Sequence, residues 1–351
     1  MASREQNKST QPLQEQAIFN NAKVLTEGWY PMFPSKKLSR KKTHLFQILN
    51  QRIVVFRGED GSVHALDAFC PHMGADLNNG HVEGNELRCY FHRWKFSGAG
   101  HLTDIPCQKS LPANVKLKSY PTAERYGFVW VFSGDVATHA VPAAPGLSGL
   151  SHEQISAVYV RKGTLYAHHH ILMANGLDTQ HFSAVHGLNI DFTFKVEEKF
   201  PEIFDWDLSG KIPRDSSRGK LAYFILGENL AYRVRIAGGS IAAITYGDKP
   251  RFRGNNFLLP ELHILWGCVP LLSGVSEVRI FILSKKRRGM FAPFKNAFQF
   301  LITLIVLAIL KDDDVKAFPN MRFNVGSLIA ADASVGRLIH MINRLRLSVW
   351  N

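Results

Sequence analysis

Cysteine and histidine recur together in two short arms, Cys70-Pro71-His72 and, sixteen residues later, Cys89-Tyr90-Phe91-His92. Two thiols and two imidazoles so spaced commit the segment to folding around a metal centre. Zinc and iron–sulfur are the two chemistries that use this donor set. Zinc arms typically separate their ligands by about two to four residues, and a Cys-x-His arm is tighter than that. One Cys and one His from each of two loops suits a [2Fe–2S] centre, with the thiolates on one iron and the imidazoles on the other. Gly74 and Gly80 let the first loop turn, Gly98 and Gly100 serve the second, and Trp94 and Phe96 offer an apolar cover. A zinc-stabilised binding module is the alternative and would lack visible absorbance.

The rest of the cysteine inventory is Cys107 and Cys268, which form no disulfide framework. A reducing, cytoplasmic setting is expected. The 351 residues carry a net charge of +13, with basic clusters at Lys36, Lys37, Arg40, Lys41 and Lys42 and at Lys285–Arg288. Neither cluster sits in a nucleic-acid motif, so no nucleic-acid partner is expected. A solvated face, an acidic redox partner and a membrane surface remain as readings. The first sixteen residues are polar, lack the apolar stretch of a signal peptide, and read as disordered.

Along the chain, 45–57, 63–68 and 126–132 read as strands, and 137–149 is Ala-, Pro- and Gly-rich like a linker. Leu172–His186 and Phe294–Phe318 read as helical, and Leu221–Tyr246 and Glu277–Leu283 as strands. The expected division is a tail over 1–26, an all-β domain over 27–136, a linker over 137–150 and an α+β domain over 151–351. His168, His169 and His170 are expected to be partly exposed, since consecutive residues cannot all point one way.

The second half holds Asn175-Gly-Leu-Asp178-Thr-Gln-His181 and then His186. Asp178 and His181 share a helical face. His181 and His186 lie about 140° apart on an ideal helix, so one metal can take both only if the helix distorts or ends between them. Gly187 suits a helix end, and a π-bulge would serve equally. Two histidines with one carboxylate form the facial triad of non-haem Fe(II) sites, which keeps positions open for dioxygen. The carboxylate must come from downstream, where Asp312, Asp313, Asp314 and Asp332 are the candidates.

These motifs resemble the Rieske non-haem iron oxygenases, the terminal components of the ring-hydroxylating superfamily. The resemblance rests on Cys70–His72, Cys89–His92, Arg93-Trp94-Lys95-Phe96 and Thr103-Asp104-Ile105-Pro106, and on N-x-x-D-x-x-H-x-x-x-x-H followed by Gly. Tyr90 stands where the family usually has Pro. The resemblance implies an N-terminal Rieske domain and a C-terminal helix-grip domain, an antiparallel sheet wrapped on a long helix. It implies Cys70, His72, Cys89 and His92 as cluster ligands, and His181 and His186 as ligands of a mononuclear Fe(II). Asp178 is implied as a link between a cluster histidine and an iron histidine, here His92 and His181, with Asn175 nearby.

Asp314-Val315-Lys316-Ala317-Phe318 is similar to the steroid hydroxylase and sterol desaturase pattern, which implies Asp314 as the third ligand and Asp313 as runner-up. The resemblance further implies dioxygen, an NAD(P)H-dependent reductase or ferredoxin, and a homotrimer with electrons crossing between subunits. Uncharged residues such as Tyr232, Ile244, Tyr246, Ile264 and Trp266, with Phe224, Leu226, Ile241, Phe257, Leu262 and Val269, are expected around an apolar or bulky polycyclic substrate. Hydroxylation, demethylation or desaturation is favoured over cis-dihydroxylation. A Rieske electron carrier without oxygenase activity is the alternative.

Asn296–Leu310 is an uncharged run of fifteen residues, short of the roughly 20 that span a bilayer. It reads either as a buried helix that carries Asp314 to the iron or as an interfacial helix, with peripheral membrane contact through the neighbouring basic residues.

Overall fold

The computed structural model describes residues 17–351 except 227, 248–250, 253–256, 259, 272–273 and 320. The side chains of 218, 221, 224–226, 251–252, 257–258, 308–313 and 315 are also outside the described set. The expectations for Phe224, Leu226, Phe257 and the side chain of Asp313 therefore fall outside it.

The first part is built from three small antiparallel sheets. Trp29–Pro34, Phe128–Phe132 and Thr122–Arg125 form one. Thr43–Ile48, Gln51–Arg57, Val63–Asp67 and Ser119–Tyr120 form the second. Four three-residue strands, His81–Glu83, Glu86–Arg88, Lys95–Ser97 and Leu102–Asp104, form the third and carry the second Cys/His arm between them.

The second part is one seven-stranded antiparallel sheet. Its strands run in the order Ile155–Leu165, Ser276–Lys285, Leu262–Pro270, Ile241–Tyr246, Asn229–Ala237, Ile203–Lys211, Phe192–Phe200. Residues directly opposite one another in a sheet share a face. Val196, Trp206, Val234, Ile244, Ile264, Ile282 and Val158 make one such row across all seven strands. The alternate residues, among them Ala243, Leu265 and Phe281, point the other way and pack against Trp130 and Phe128 of the first part. One face of the sheet is thus the seam to the first domain, which leaves the other free to build a pocket.

Helices close that second face. We label them α1 (His169–Asn175), α2 (Gln180–Ala184), α3 (Ser217–Leu226), α4 (Ala292–Ala317) and α5 (Ala333–Ile342). In α5 the residues Val335, Leu338, Ile339 and Ile342 are buried, an i, i+3, i+4, i+7 pattern that puts them on one helical face. The long α4 contacts the strands Leu262–Pro270 and Ser276–Lys285. This is the expected α+β arrangement of an all-β domain followed by a sheet wrapped on a long helix.

Four local expectations differ from the structure. Leu172–His186 is two short helices, not one. Within Leu221–Tyr246, the first residues belong to α3, because Ser216 accepts the Gly219 amide at 2.9 Å through its hydroxyl and starts a helix there. The tail ends sooner than residue 26: Ile18, Phe19 and Leu25 are buried, and the Ile18 and Phe19 amides donate to Asn343 Oδ1 at 2.9 and 2.8 Å. The linker is packed rather than loose. Val141, Ala144 and Leu147 are buried on the sheet, and Arg235, paired with Asp205 at 2.6 Å, donates to the Ala143 carbonyl.

Candidate metal centres and cavity

The two cysteine arms meet at one end of the first domain. Gly74 has φ +74°, and in the second arm Arg93 has φ +62°. These left-handed residues fold each loop back on itself. The Cys89 amide donates to the Trp94 carbonyl at 2.8 Å, and the Gly74 amide to the Cys70 carbonyl at 2.9 Å. Cys70 and Cys89 are 2% and 1% exposed. The His72 and His92 rings lie outside them, with centroids 4.5 Å apart and His72 stacked on Trp94 at 4.3 Å.

The sulfur environment suits a metal. Burial first, then the neighbouring Cys89, pushes the Cys70 thiol up to about 11, while the His72 and Met73 amides point at its sulfur and favour the thiolate. Two adjacent buried thiolates need a cation between them, and amides aimed at the sulfur are what such a cluster leaves for the protein to supply. The residues fit a [2Fe–2S] group. The histidine end is open: Phe69, Met73, Tyr90 and Phe91 surround it at 50–67% exposure.

The second constellation lies at the end of α2. The helix stops as the spacing requires. The His186 amide reaches the His181 carbonyl at 3.4 Å, one residue further than an α-helical bond, and Gly187 turns at φ +66°. This π-like step brings the His181 and His186 rings to 5.1 Å. From the last turn of α4, Asp314 Oδ1 comes within 3.3 Å of His186 Nε2. One donor atom from each of the three residues lies within 4.8 Å of the others.

Three features make this set fit a divalent metal. His181 Nδ1 donates to the Asp178 carbonyl, which leaves Nε2 with a free lone pair. Burial, opposed by Asp178 and Asp314, lowers the His181 pKa and keeps that lone pair. Asp314 Oδ1 is buried and makes no hydrogen bond despite its closeness to His186, the condition of a carboxylate oxygen that lacks its cation.

Within the single chain, Asp178 serves its own turn. Its carboxylate accepts the Gln180 amide at 2.9 Å and the His181 amide at 3.4 Å, and its carbonyl, not its carboxylate, holds the His181 ring. Among the described residues its hydrogen-bond partners do not include His92. Asp332 is occupied elsewhere, accepting from Gln180 Nε2 and from the Ile329 amide.

His168, His169 and His170 are buried at 5%, 2% and 2%, contrary to the partly exposed reading. His168 caps α1, its Nδ1 accepting the His170 amide at 3.2 Å, and His170 Nδ1 accepts the Asn20 amide at 2.9 Å. Both rings therefore carry their proton on Nε2. Although donor atoms of the trio cluster within 4.8 Å, a protonated nitrogen offers no lone pair, so a metal is disfavoured here.

The trio has a consequence for stability. Burial holds His168 at about 4 and the other two well below 6.5. Below pH 6.5 the unfolded chain binds more protons than the folded one, so stability falls with pH from about 6.5 down to about 4. For His168 alone the loss at pH 5 is about 2 kcal/mol. Urea midpoints at pH 7 and pH 5 check this, and a His168→Asn variant is expected to flatten the slope.

A cavity of about 510 Å³ opens beside the triad. His181, His186, Asp314, Asn175 and Phe182 form its metal end. Val234, Ile244 and Ile264 come from the row across the sheet, with Tyr232, Tyr246 and Trp266 beside them and Leu304, Leu307 and Phe318 on the α4 side. Ile241, Leu262 and Val269, expected here, are absent from the lining. Ile241 and Val269 are on the opposite face, by sheet alternation, and pack towards the first domain. Leu172, Met173, Val278 and Ile280, also on the wall, were not read from the sequence; period-2 alternation of 278 and 280 was the available signal.

Two metal-ligand sets, one of two buried thiols with two exposed imidazoles and one His–His–Asp triad at a cavity, are joined in a chain that carries a Rieske [2Fe–2S] domain: that family matches residues 28–121. The fold over most of the chain is that of Rieske oxygenases. Dicamba monooxygenase covers 90% of this chain and 96% of its own with a TM-score of 0.61 at 19% identity. Pseudomonas putida CBB5 NdmB gives a TM-score of 0.61 at 15% identity, covering 90% of this chain and 89% of its own.

Among curated proteins, cholesterol 7-desaturase of Hemicentrotus pulcherrimus is 37% identical over 172 residues, 47% of this chain and 36% of its own length. The oxygenase component of 3-ketosteroid-9-alpha-monooxygenase from Rhodococcus rhodochrous is 28% identical over 205 residues, 56% of this chain and 51% of its own. The matches thus span about a third to a half of these relatives.

Proposed function

We propose that this protein is a terminal oxygenase that takes electrons from an NAD(P)H-dependent reductase or ferredoxin and uses dioxygen to oxidise an apolar, polycyclic substrate. The observation that carries the reading is the His181–His186–Asp314 triad at the wall of a 510 Å³ apolar cavity. An electron carrier has no use for such a cavity.

When bound, the iron–sulfur group supplies single electrons and the mononuclear Fe(II) supplies open positions for dioxygen. The chain's own residues do the rest. Cys70, His72, Cys89 and His92 would hold the cluster, and His181, His186 and Asp314 the Fe(II). The Asp178 carbonyl fixes the His181 tautomer, and the apolar walls exclude water. Trp266, Tyr232 and Tyr246 offer flat faces for a ring system, with Asn175 as a polar contact near the metal. The two similar curated proteins named for cholesterol and a ketosteroid support a substrate of the steroid class, oxidised by hydroxylation or desaturation.

The exposed apolar rim around His72 and His92 supports a partner at that face. A homotrimer would bring it against the half-exposed Asp178 of a neighbouring subunit and carry the electron between chains. A cytoplasmic location is part of the same reading; among the described residues no helix is long and apolar enough to cross a membrane.

The test is a screen of sterols and ketosteroids with purified protein, a surrogate reductase and ¹⁸O₂, read by mass spectrometry. Incorporation of one labelled oxygen, or loss of two hydrogens, is the expected product signature. Reductase-driven cluster reduction with no product across the set would favour the electron carrier.

A further inference from the structure

An amphipathic helix on a protein surface turns its polar side outward. Helix α4 does not. Phe294, Phe298, Leu301 and Ile305 recur at spacings of four, three and four residues, a stripe within about 60° of arc. Phe294, Leu301 and Ile305 are 73%, 55% and 46% exposed. Met290 and Phe291, just before the helix, are 85% and 65% exposed. The opposite side is the buried one, with Gln299 and Thr303 covered and Asp314 facing the cavity. The helix therefore has two working faces, one toward the metal site and one apolar face toward the outside.

The charge around this face names its occupant. Between 285 and 310 the chain has Lys285, Lys286, Arg287, Arg288 and Lys295 and no acidic residue. Lys285, Lys286, Arg288 and Lys295 are exposed. Exposed aromatic and aliphatic groups beside basic side chains match the acyl boundary and the anionic headgroups of a bilayer. The uncharged run is too short to span one.

We infer that the outer face of α4 docks on an anionic lipid bilayer, with Phe291, Phe294 and Leu301 inserted at the acyl boundary and the 285–288 cluster on the headgroups. Resting on the oxygenase reading, the same contact would feed the cavity a lipophilic substrate from the membrane, since Leu304 and Leu307 of this helix line its wall.

The test is flotation of the full, iron-loaded chain with neutral phosphatidylcholine vesicles and with vesicles that also contain phosphatidylserine. Salt is set at about 0.1 M and about 1 M, over which the screening length falls from about 10 to about 3 Å. The expected result is binding to anionic vesicles at low salt, reduced about tenfold or more by high salt or by neutral lipid. Phe294→Asp/Leu301→Asp should lose binding while keeping cluster absorbance. Lys285→Glu/Arg288→Glu, at exposed positions, should lose about tenfold or more, since two cations are removed from the headgroup contact and two anions put in their place.

No flotation on anionic vesicles, or unchanged flotation of both variants, overturns the proposal. So does a concentration-dependent dimer that the Phe294→Asp/Leu301→Asp variant dissociates, which would assign the face to a second copy of the chain. Vesicle binding requires no turnover, so a failed substrate screen leaves this result standing.

Discussion

Cys89→Ser is expected to remove the visible absorbance of the protein and reduce turnover to background. Cys89 is 1% exposed and packs with Cys70, Leu77, Leu87 and Phe96 beneath the histidine arms. The thiolate is the ligand, and a serine hydroxyl holds its proton far more tightly. The loop itself need not collapse, because the Cys89 amide still donates to Trp94. Loss of colour in a chain whose far-ultraviolet circular dichroism is unchanged separates loss of the cluster from loss of the fold. Full retention of the absorbance would remove Cys89 from the ligand set.

Asp314→Ala is expected to lose the mononuclear iron, keep the cluster, and stop product formation. The variant also carries a stability prediction of unusual sign. Without metal, Asp314 Oδ1 is a buried acceptor with no hydrogen bond, and an unsatisfied buried group costs about 1–3 kcal/mol. The metal-free variant should be as stable as the metal-free parent or more so, whereas the metal-loaded parent should be more stable than either. Thermal denaturation with and without chelator checks the order. Asp313→Ala is the control; loss of iron there, with Asp314→Ala loaded, would move the ligand by one residue.

Much of this architecture was legible because metal ligands obey fixed spacings. The Cys-x-His and Cys-x-x-His arms dictated two loops meeting at one point, and the five-residue gap between His181 and His186 dictated a helix that distorts or ends between them. What was not legible depends on contacts distant in sequence. His168, His169 and His170 looked exposed because three consecutive side chains cannot share a direction, yet capping of α1 and the amide of Asn20, some 150 residues away, enclose all three. The packing of Ile18 and Phe19 rests on Asn343, more than 320 residues away. The carboxylate of Asp178 was read as a bridge, while in the single chain it serves backbone amides of its own turn.

The central claim is that one chain holds two different iron centres, the second at the His181–His186–Asp314 triad. Iron and acid-labile sulfide content of anaerobically loaded protein tests it most directly. The account predicts about three irons and about two sulfides per chain, with the third iron alone lost in Asp314→Ala. Two irons and two sulfides in the parent, unchanged by that substitution, would contradict it.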